Sequence, residues 1–276
     1  MNTQKQPAAR QRPTFRLIFR ILATILALIA LVSCDGIYER PDDTTITTTA
    51  PPDIPTSTPP ESSQKRVAIT FDDGPRSYQD QTKKIVDELS KYGFTATFFV
   101  VGNRIEKDGT LPYAVEHGCE IGIHGFTHST EKYFDTCSDE AYENEISHTA
   151  EAIRKQIPGY EIKLMRPVGG RISAERINTS PYSIIMWNVD SEDWKHTYYK
   201  GISDEEADAK INTIVNNVMS SVSDGSIILL HDIYESTYDA TKIILQRLYE
   251  EGYDVVSVSE LLGDDLVPGR QYTRRP

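Results

Sequence analysis

Cysteine is scarce, with three in 276 residues. That count excludes a small disulfide-stapled scaffold, so any fold must rest on apolar packing. Basic residues are also in deficit, 29 Lys and Arg against 41 Asp and Glu, which gives a formal charge of −12. So acidic a chain does not suit nucleic acid, because duplex binding draws on Lys and Arg to neutralise phosphates. Hydrophobic residues make up only 38% of the chain, which excludes a multi-span membrane protein. No internal repeat is visible. Fifteen tyrosines and 25% charged residues instead describe a soluble globular chain with one large domain or two small ones.

The first segment carries no acid. Its charges are Lys5, Arg10, Arg12, Arg16 and Arg20, and they precede an apolar run from Ile21 to Val32. That run has the length of a signal-peptide core and is short for a spanning helix. It ends Leu31-Val32-Ser33-Cys34, which resembles the lipobox of bacterial lipoproteins and implies a lipid on Cys34. The other reading is an uncleaved anchor, with Phe15 to Phe19 extending the apolar stretch. Both put the remainder outside the cytoplasm, on the outer face of the cell membrane. Without the five leader cations, 24 basic residues face 41 acidic ones, a net charge of −17. Anionic headgroups would repel that surface, so membrane attachment would rest on the anchor alone. Residues 34–63 read as a Thr/Pro/Ser-rich spacer, 64–262 as the folded domain and 263–276 as a polar tail. Cys119 and Cys137 are either a disulfide or two free thiols, with Cys119 packed as a small hydrophobe.

From Gln64 onward strand and helix patterns alternate. Val67 to Phe71, Thr95 to Val101, Ile121 to Ile123, Ile162 to Met165, Ser183 to Trp187, Ile227 to Leu230 and Val255-Val256 read as strands. Helical patterns cover Gln79 to Tyr92, Tyr113 to Val115, Glu140 to Ile157, Asp204 to Val222 and Tyr238 to Glu251. Such alternation predicts a parallel sheet, most simply an α/β barrel, with function at the C-terminal ends of the strands. Polar residues fall where that architecture requires. Asp72-Asp73 follow the first strand, His124 follows Ile123, and Arg166 follows Met165. Asp190 and Asp193 follow Trp187, and His231-Asp232 follow Leu230.

These groups suit a metal-assisted hydrolase. His124 and His128 are spaced i, i+4, so a helical turn would present both imidazoles to one ion, with a carboxylate as third ligand. Adjacent carboxylates cannot easily share one job, since each charge raises the pKa of the other. One on the metal and one kept as base is the sensible division, with Arg166 holding the base ionised. Trp187 reads as core and His196 as a loop histidine.

Five segments together resemble the polysaccharide deacetylases, the NodB-homology domain or carbohydrate esterase family 4. They are Thr70-Phe71-Asp72-Asp73-Gly74-Pro75, His124-Gly125-Phe126-Thr127-His128, Arg166-Pro167-Val168-Gly169-Gly170, Asp190-Ser191-Glu192-Asp193-Trp194 and Leu229-Leu230-His231-Asp232. The resemblance implies a distorted (β/α) barrel that removes N-acetyl, sometimes O-acetyl, groups from polysaccharides. Carried over by position, Asp73, His124 and His128 would hold a divalent metal, Zn2+ or Co2+. Asp72 would be the general base, oriented by Arg166, and His231 the general acid, tuned by Asp193. Gly169 would supply an oxyanion N–H, and Trp194 and Leu229 the wall of the acetate pocket. Gly125 stands where the family often has Ser or Thr, which removes a hydroxyl that could brace the metal loop. Gly169 replaces a frequent aromatic, which is expected to leave the groove open. The expected substrate is an N-acetylglucosamine-containing glycan, peptidoglycan foremost. An O-acetylated xylan and a non-catalytic glycan-binding lipoprotein are the alternatives.

Overall fold

Alternation along the first strand fixes the frame of the molecule. In β1, Lys65–Asp72, the side chains of Val67, Ile69 and Phe71 point outward into the shell packed by helices, while Ala68 joins a second, interior cluster. Thr70 and Asp72 continue that inner face, so the period of two carries one strand from apolar core to polar rim. The computed structural model describes residues 64–76, 80–106, 109–129, 133–198 and 201–276. The expected leader, Cys34 and the spacer lie outside the described residues. Among the described residues no helix is long and apolar enough to cross a membrane.

After β1 come α1 (Gln81–Ser90), β2 (Thr97–Val100), α2 (Thr110–Glu116), β3 (Glu120–Ile123), α3 (Asp139–Gln156) and β4 (Leu164–Met165). They are followed by α4 (Ala174–Thr179), β5 (Ser183–Ile185), β6 (Val189–Asp190), α5 (Asp204–Met219) and β7 (Ile227–His231). The chain ends with α6 (Glu235–Glu250), β8 (Tyr253–Val256), α7 (Val258–Leu262) and β9 (Gln271–Tyr272). All nine strands join one curled sheet in the order β6-β7-β1-β2-β3-β4-β5-β9, with β8 on β1, and every named pairing is parallel. This is the distorted (β/α) barrel expected from the sequence. Serine hydroxyls at Ser138, Ser173, Ser203 and Ser257 accept the N–H three residues on and cap α3, α4, α5 and α7.

Three expectations are corrected. The apolar run Ser183 to Trp187 is divided: β5 stops at Ile185 and β6 begins at Val189, with Trp187 in the turn between them. The segment 263–276 is part of the fold rather than a tail. Tyr272 is buried, β9 pairs with β5, and Arg274 bridges to Ser226 just before β7, so this stretch closes the curl. Its polar flanks are themselves engaged, because Arg274 donates to the Asp224 carbonyl at 2.9 Å and Arg275 pairs with the Asp224 carboxylate at 2.6 Å. The disulfide reading is also overturned, since Cys119 and Cys137 are both free. Burial pushes the Cys119 thiol up to about 11, leaving it an inert core residue.

Candidate active site

The ladder sets the heights of the polar groups. Asp72 lies opposite His231 where β1 meets β7, so the two stand side by side on the rim. The His124 N–H donates to Val100 O at 2.9 Å and the Arg166 N–H to Ile123 O at 2.8 Å, each extending its strand's pairing by one residue. The backbone then turns sharply at Asp73, whose φ of 77° lies in the left-handed region. That turn separates two adjacent carboxylates. Asp72 stays on the barrel's inner face, while Asp73 swings beneath the imidazoles of His124 and His128. The guanidinium of Arg104 donates to the Asp73 carbonyl at 2.6 Å and holds the turn.

Asp73, His124 and His128 form one cluster, with their ligand atoms within 4.8 Å of one another. Asp73 Oδ1 lies 2.8 Å from His128 Nε2 and 3.4 Å from His124 Nε2, yet this buried oxygen has no hydrogen-bond partner. His124 Nδ1 sits 2.8 Å from the Arg166 carbonyl. A carbonyl only accepts, so Nδ1 carries the proton and the Nε2 lone pair points into the cluster. An anionic oxygen without a donor and two convergent imidazoles are the donor set a divalent cation takes. The residues therefore fit a metal. The histidines do not share a helical turn, however. Gly125 at φ 81° and His128 at φ 53° make residues 124–128 a loop, and the loop rather than the i, i+4 spacing brings the rings together.

Arg166 is fully buried, and each of its three side-chain nitrogens has a partner. Nη1 reaches Asp72 Oδ1 at 2.8 Å and Thr70 Oγ1 at 2.7 Å, Nε donates to Ile185 O at 2.9 Å, and Nη2 to Met186 O at 3.0 Å. The Phe99 ring lies 4.3 Å from the guanidinium and covers it. Asp72 is thus pinned through one oxygen, and its other, Oδ2, stands 3.7 Å from His124 Nε2.

On the neighbouring strand, His231 has its own carboxylate: Asp193 Oδ1 lies 2.7 Å from His231 Nδ1 and accepts the Trp194 N–H at 2.9 Å. Its Oδ2 accepts the His231 N–H at 2.7 Å and Thr237 Oγ1 at 2.6 Å. Burial disfavours the imidazolium, but Asp193, with smaller help from Asp72 and Asp73, pushes the His231 pKa up to about 9. Asp232, next in sequence, turns away beneath the first turn; burial and the Asp73 and Asp72 charges push its pKa up to about 7.

Asp72, Asp73, His124, His128, Gly169, Trp194, Leu229 and His231 all line one cleft of ≈ 430 Å³. Arg166 and Asp193 stand behind it, and Cys34 lies outside the described residues. A larger groove of ≈ 860 Å³ between α3 and α4 contains none of these groups. Three aromatics that sequence reading did not place there also line the cleft: Tyr133, Tyr234 and Trp187. Trp187 is therefore cleft wall as well as packing. Nor is the groove left open at Gly169. A Cβ there would stand 3.1 Å from the Tyr133 ring, so an aromatic from another loop occupies the space.

Residues 60–180 match the sequence profile of the polysaccharide deacetylases. Over 215 residues, 78% of this chain, the sequence is 33% identical to the peptidoglycan-N-acetylglucosamine deacetylase PgdA of Listeria monocytogenes. That stretch spans 42% of the Listeria protein. The solved peptidoglycan deacetylase PdaC of Bacillus subtilis superposes with a TM-score of 0.61 at 37% identity, over 72% of this chain and 90% of that one. A family 4 acetyl xylan esterase from Clostridium thermocellum, solved with a cobalt ion, superposes at 0.64 with 30% identity, over 77% of this chain and all of the other (100%). This chain belongs to the polysaccharide deacetylase family. The five segments that carry the resemblance fall on one rim of its barrel.

Proposed function

We propose that the chain hydrolyses N-acetyl groups on an extracellular polysaccharide, with N-acetylglucosamine of peptidoglycan as the leading substrate. One observation carries this reading: a carboxylate pinned by Arg166 and an imidazole pinned by Asp193 stand side by side at one cleft, which the Asp73–His124–His128 cluster also lines. A divalent cation held by Asp73, His124 and His128, zinc or cobalt, supplies Lewis acidity toward the acetyl carbonyl and makes water acidic near neutral pH.

The chain's own residues do the remainder. Asp72 Oδ2 takes the proton of the attacking water, and Arg166 keeps Asp72 ionised and oriented for it. The water oxygen adds to the acetyl carbon, and the Gly169 N–H donates to the carbonyl oxygen as charge develops there. His231 Nε2 then gives its proton to the nitrogen as the C–N bond breaks, releasing the amino sugar and acetate. Trp194 and Leu229 enclose the acetyl methyl. Nδ1 of His231 stays hydrogen-bonded to Asp193, so the imidazole presents its acidic proton on the cleft side.

The His231–Asp193 pair favours amide over ester as substrate. A nitrogen leaves poorly as an anion and needs a positioned acid, which the imidazole paired with Asp193 provides. An alkoxide from an O-acetylated xylan requires less help. A glycan-binding module without catalysis would have no use for a complete base and acid pair. Attachment through a lipid on Cys34, with the acidic domain held outside the membrane, completes the reading and places the cleft beside the cell wall.

The test is acetate release from N-acetylated chito-oligomers, peptidoglycan and acetylated xylan by the chelated protein, then after zinc or cobalt is restored. Metal-dependent release from the N-acetylated substrates is expected. Release from xylan alone would move the substrate to the ester. Metal binding without release from any of the three would favour the binding module.

A further inference from the structure

We propose that Glu145 is the positioning residue of the metal-binding loop, an inference that rests on the reading of Asp73, His124 and His128 as metal ligands. The loop between the two histidines has no regular structure, and its own sequence cannot hold it. His128 has φ 53°, a conformation that L side chains adopt only when their surroundings enforce it. The enforcement comes from two sides. On one side, the N–H groups of Gly102 and Asn103 donate to the carbonyls of Gly125 and Phe126, both at 2.9 Å. On the other, Glu145 reaches in from α3. Its Oε2 accepts the N–H of Phe126 at 2.7 Å and of Thr127 at 2.8 Å, and its Oε1 accepts the Thr127 hydroxyl at 2.6 Å. Donors and acceptors of residues 125–127 are thus both held.

The glutamate is buried, and its three loop partners lie between the two ligands in sequence. Hydrogen bonds to an ionised carboxylate are shorter and stronger than neutral ones, so removing that charge loosens three contacts at once. The same geometry accounts for Gly125. A Cβ at that position would stand 3.2 Å from Glu145 Oε2 and 3.3 Å from Val168 Cγ2, at a φ of 81°. A hydroxyl-bearing residue there would be strained and would press on the Glu145 carboxylate, and the Thr127 hydroxyl two residues on makes the bracing bond instead. The Phe126 ring adds an edge contact to His148 on α3 at 5.3 Å, so the helix sets the register of the loop twice.

The test compares the full chain with its Glu145→Gln and Thr127→Val variants after metal removal. Zinc affinity is measured by chelator competition, the visible absorption of the cobalt-loaded protein reports ligand geometry, and circular dichroism monitors folding. Glu120→Gln is the control, because Glu120 is a half-buried carboxylate at the far end of β3, with Thr97 and Ser259 donating to it. Glu145→Gln is expected to weaken zinc by about 10- to 100-fold and to shift the cobalt bands. Thr127→Val, which loses one bond of the three, should weaken zinc less and in the same direction. Glu120→Gln should lower the melting temperature and leave both metal readouts unchanged. Wild-type zinc affinity and an unshifted cobalt spectrum in folded Glu145→Gln would overturn the proposal, as would an equal loss of affinity in Glu120→Gln. A wild-type chain that binds neither metal would instead refute the ligand assignment beneath it.

Discussion

Asp72 and Asp73 show how one backbone turn divides labour between neighbours. Asp72 remains in extended conformation against Arg166, while Asp73, at φ 77°, faces two imidazoles. Replacing Asp72 with Asn keeps the shape and removes the base. Turnover should fall by about 10²- to 10⁴-fold, read as acetate release, while zinc affinity stays within a few-fold of wild type. Arg166→Met should be worse for stability than for shape, because it leaves Asp72 charged and buried without its partner. A loss of about 3–5 kcal/mol in a denaturant titration is expected. The His231–Asp193 pair gives a pH prediction whose sign follows from the raised imidazole pKa. In the metal-free protein its contribution is fully present below the unfolded value near 6.5 and is lost as pH rises through about 9. Asp193→Asn should therefore flatten the fall in melting temperature between pH 6.5 and 9. These residues were legible in the sequence because strand ends mark the rim and the motifs mark the residues. Glu145 and Tyr133 were not. Glu145 lies within an amphipathic helix whose pattern does not reveal which loop it meets, and Tyr133 reaches Gly169 from a loop with no periodic signal.

At the scale of elements, the longer strands and helices were readable because each presents enough apolar residues for a period to show. The two-residue strands β6 and β9 have no period to read, and tertiary pairing alone defines them, whereas β4 lies within the apolar run Ile162 to Met165. The short helices α4 and α7 escaped notice for the same reason. The i, i+4 histidine spacing was read as a helical turn, but two positive φ angles override it. For β9 the deciding fact is burial. Tyr272 is packed against the interior cluster, and its hydroxyl accepts the Val267 N–H at 2.9 Å while donating to the Asp265 carbonyl. Tyr272→Ala should cost about 3–5 kcal/mol in equilibrium unfolding, comparable to emptying other aromatic core sites. A change below about 0.5 kcal/mol, the level of an exposed position, would restore the reading of residues 263–276 as a tail.

At the scale of the whole molecule, the barrel brings residues from β1, β3, β4, β6 and β7, more than 150 positions apart in sequence, to one rim. The alternating pattern predicted that convergence, whereas the aromatic wall and the clamp on the metal loop needed the folded chain. The molecule carries an excess of acid, a formal charge of −12, and Asp193 favours the charged form of the His231 imidazole within the cleft. The central claim is that base, acid and metal cluster act together on an N-acetyl group. Acetate release from peptidoglycan and N-acetylated chito-oligomers, followed before and after chelation and again after zinc or cobalt is restored, tests it most directly. The account expects release that stops on chelation and returns with the metal. Release that persists in the fully chelated protein would contradict it.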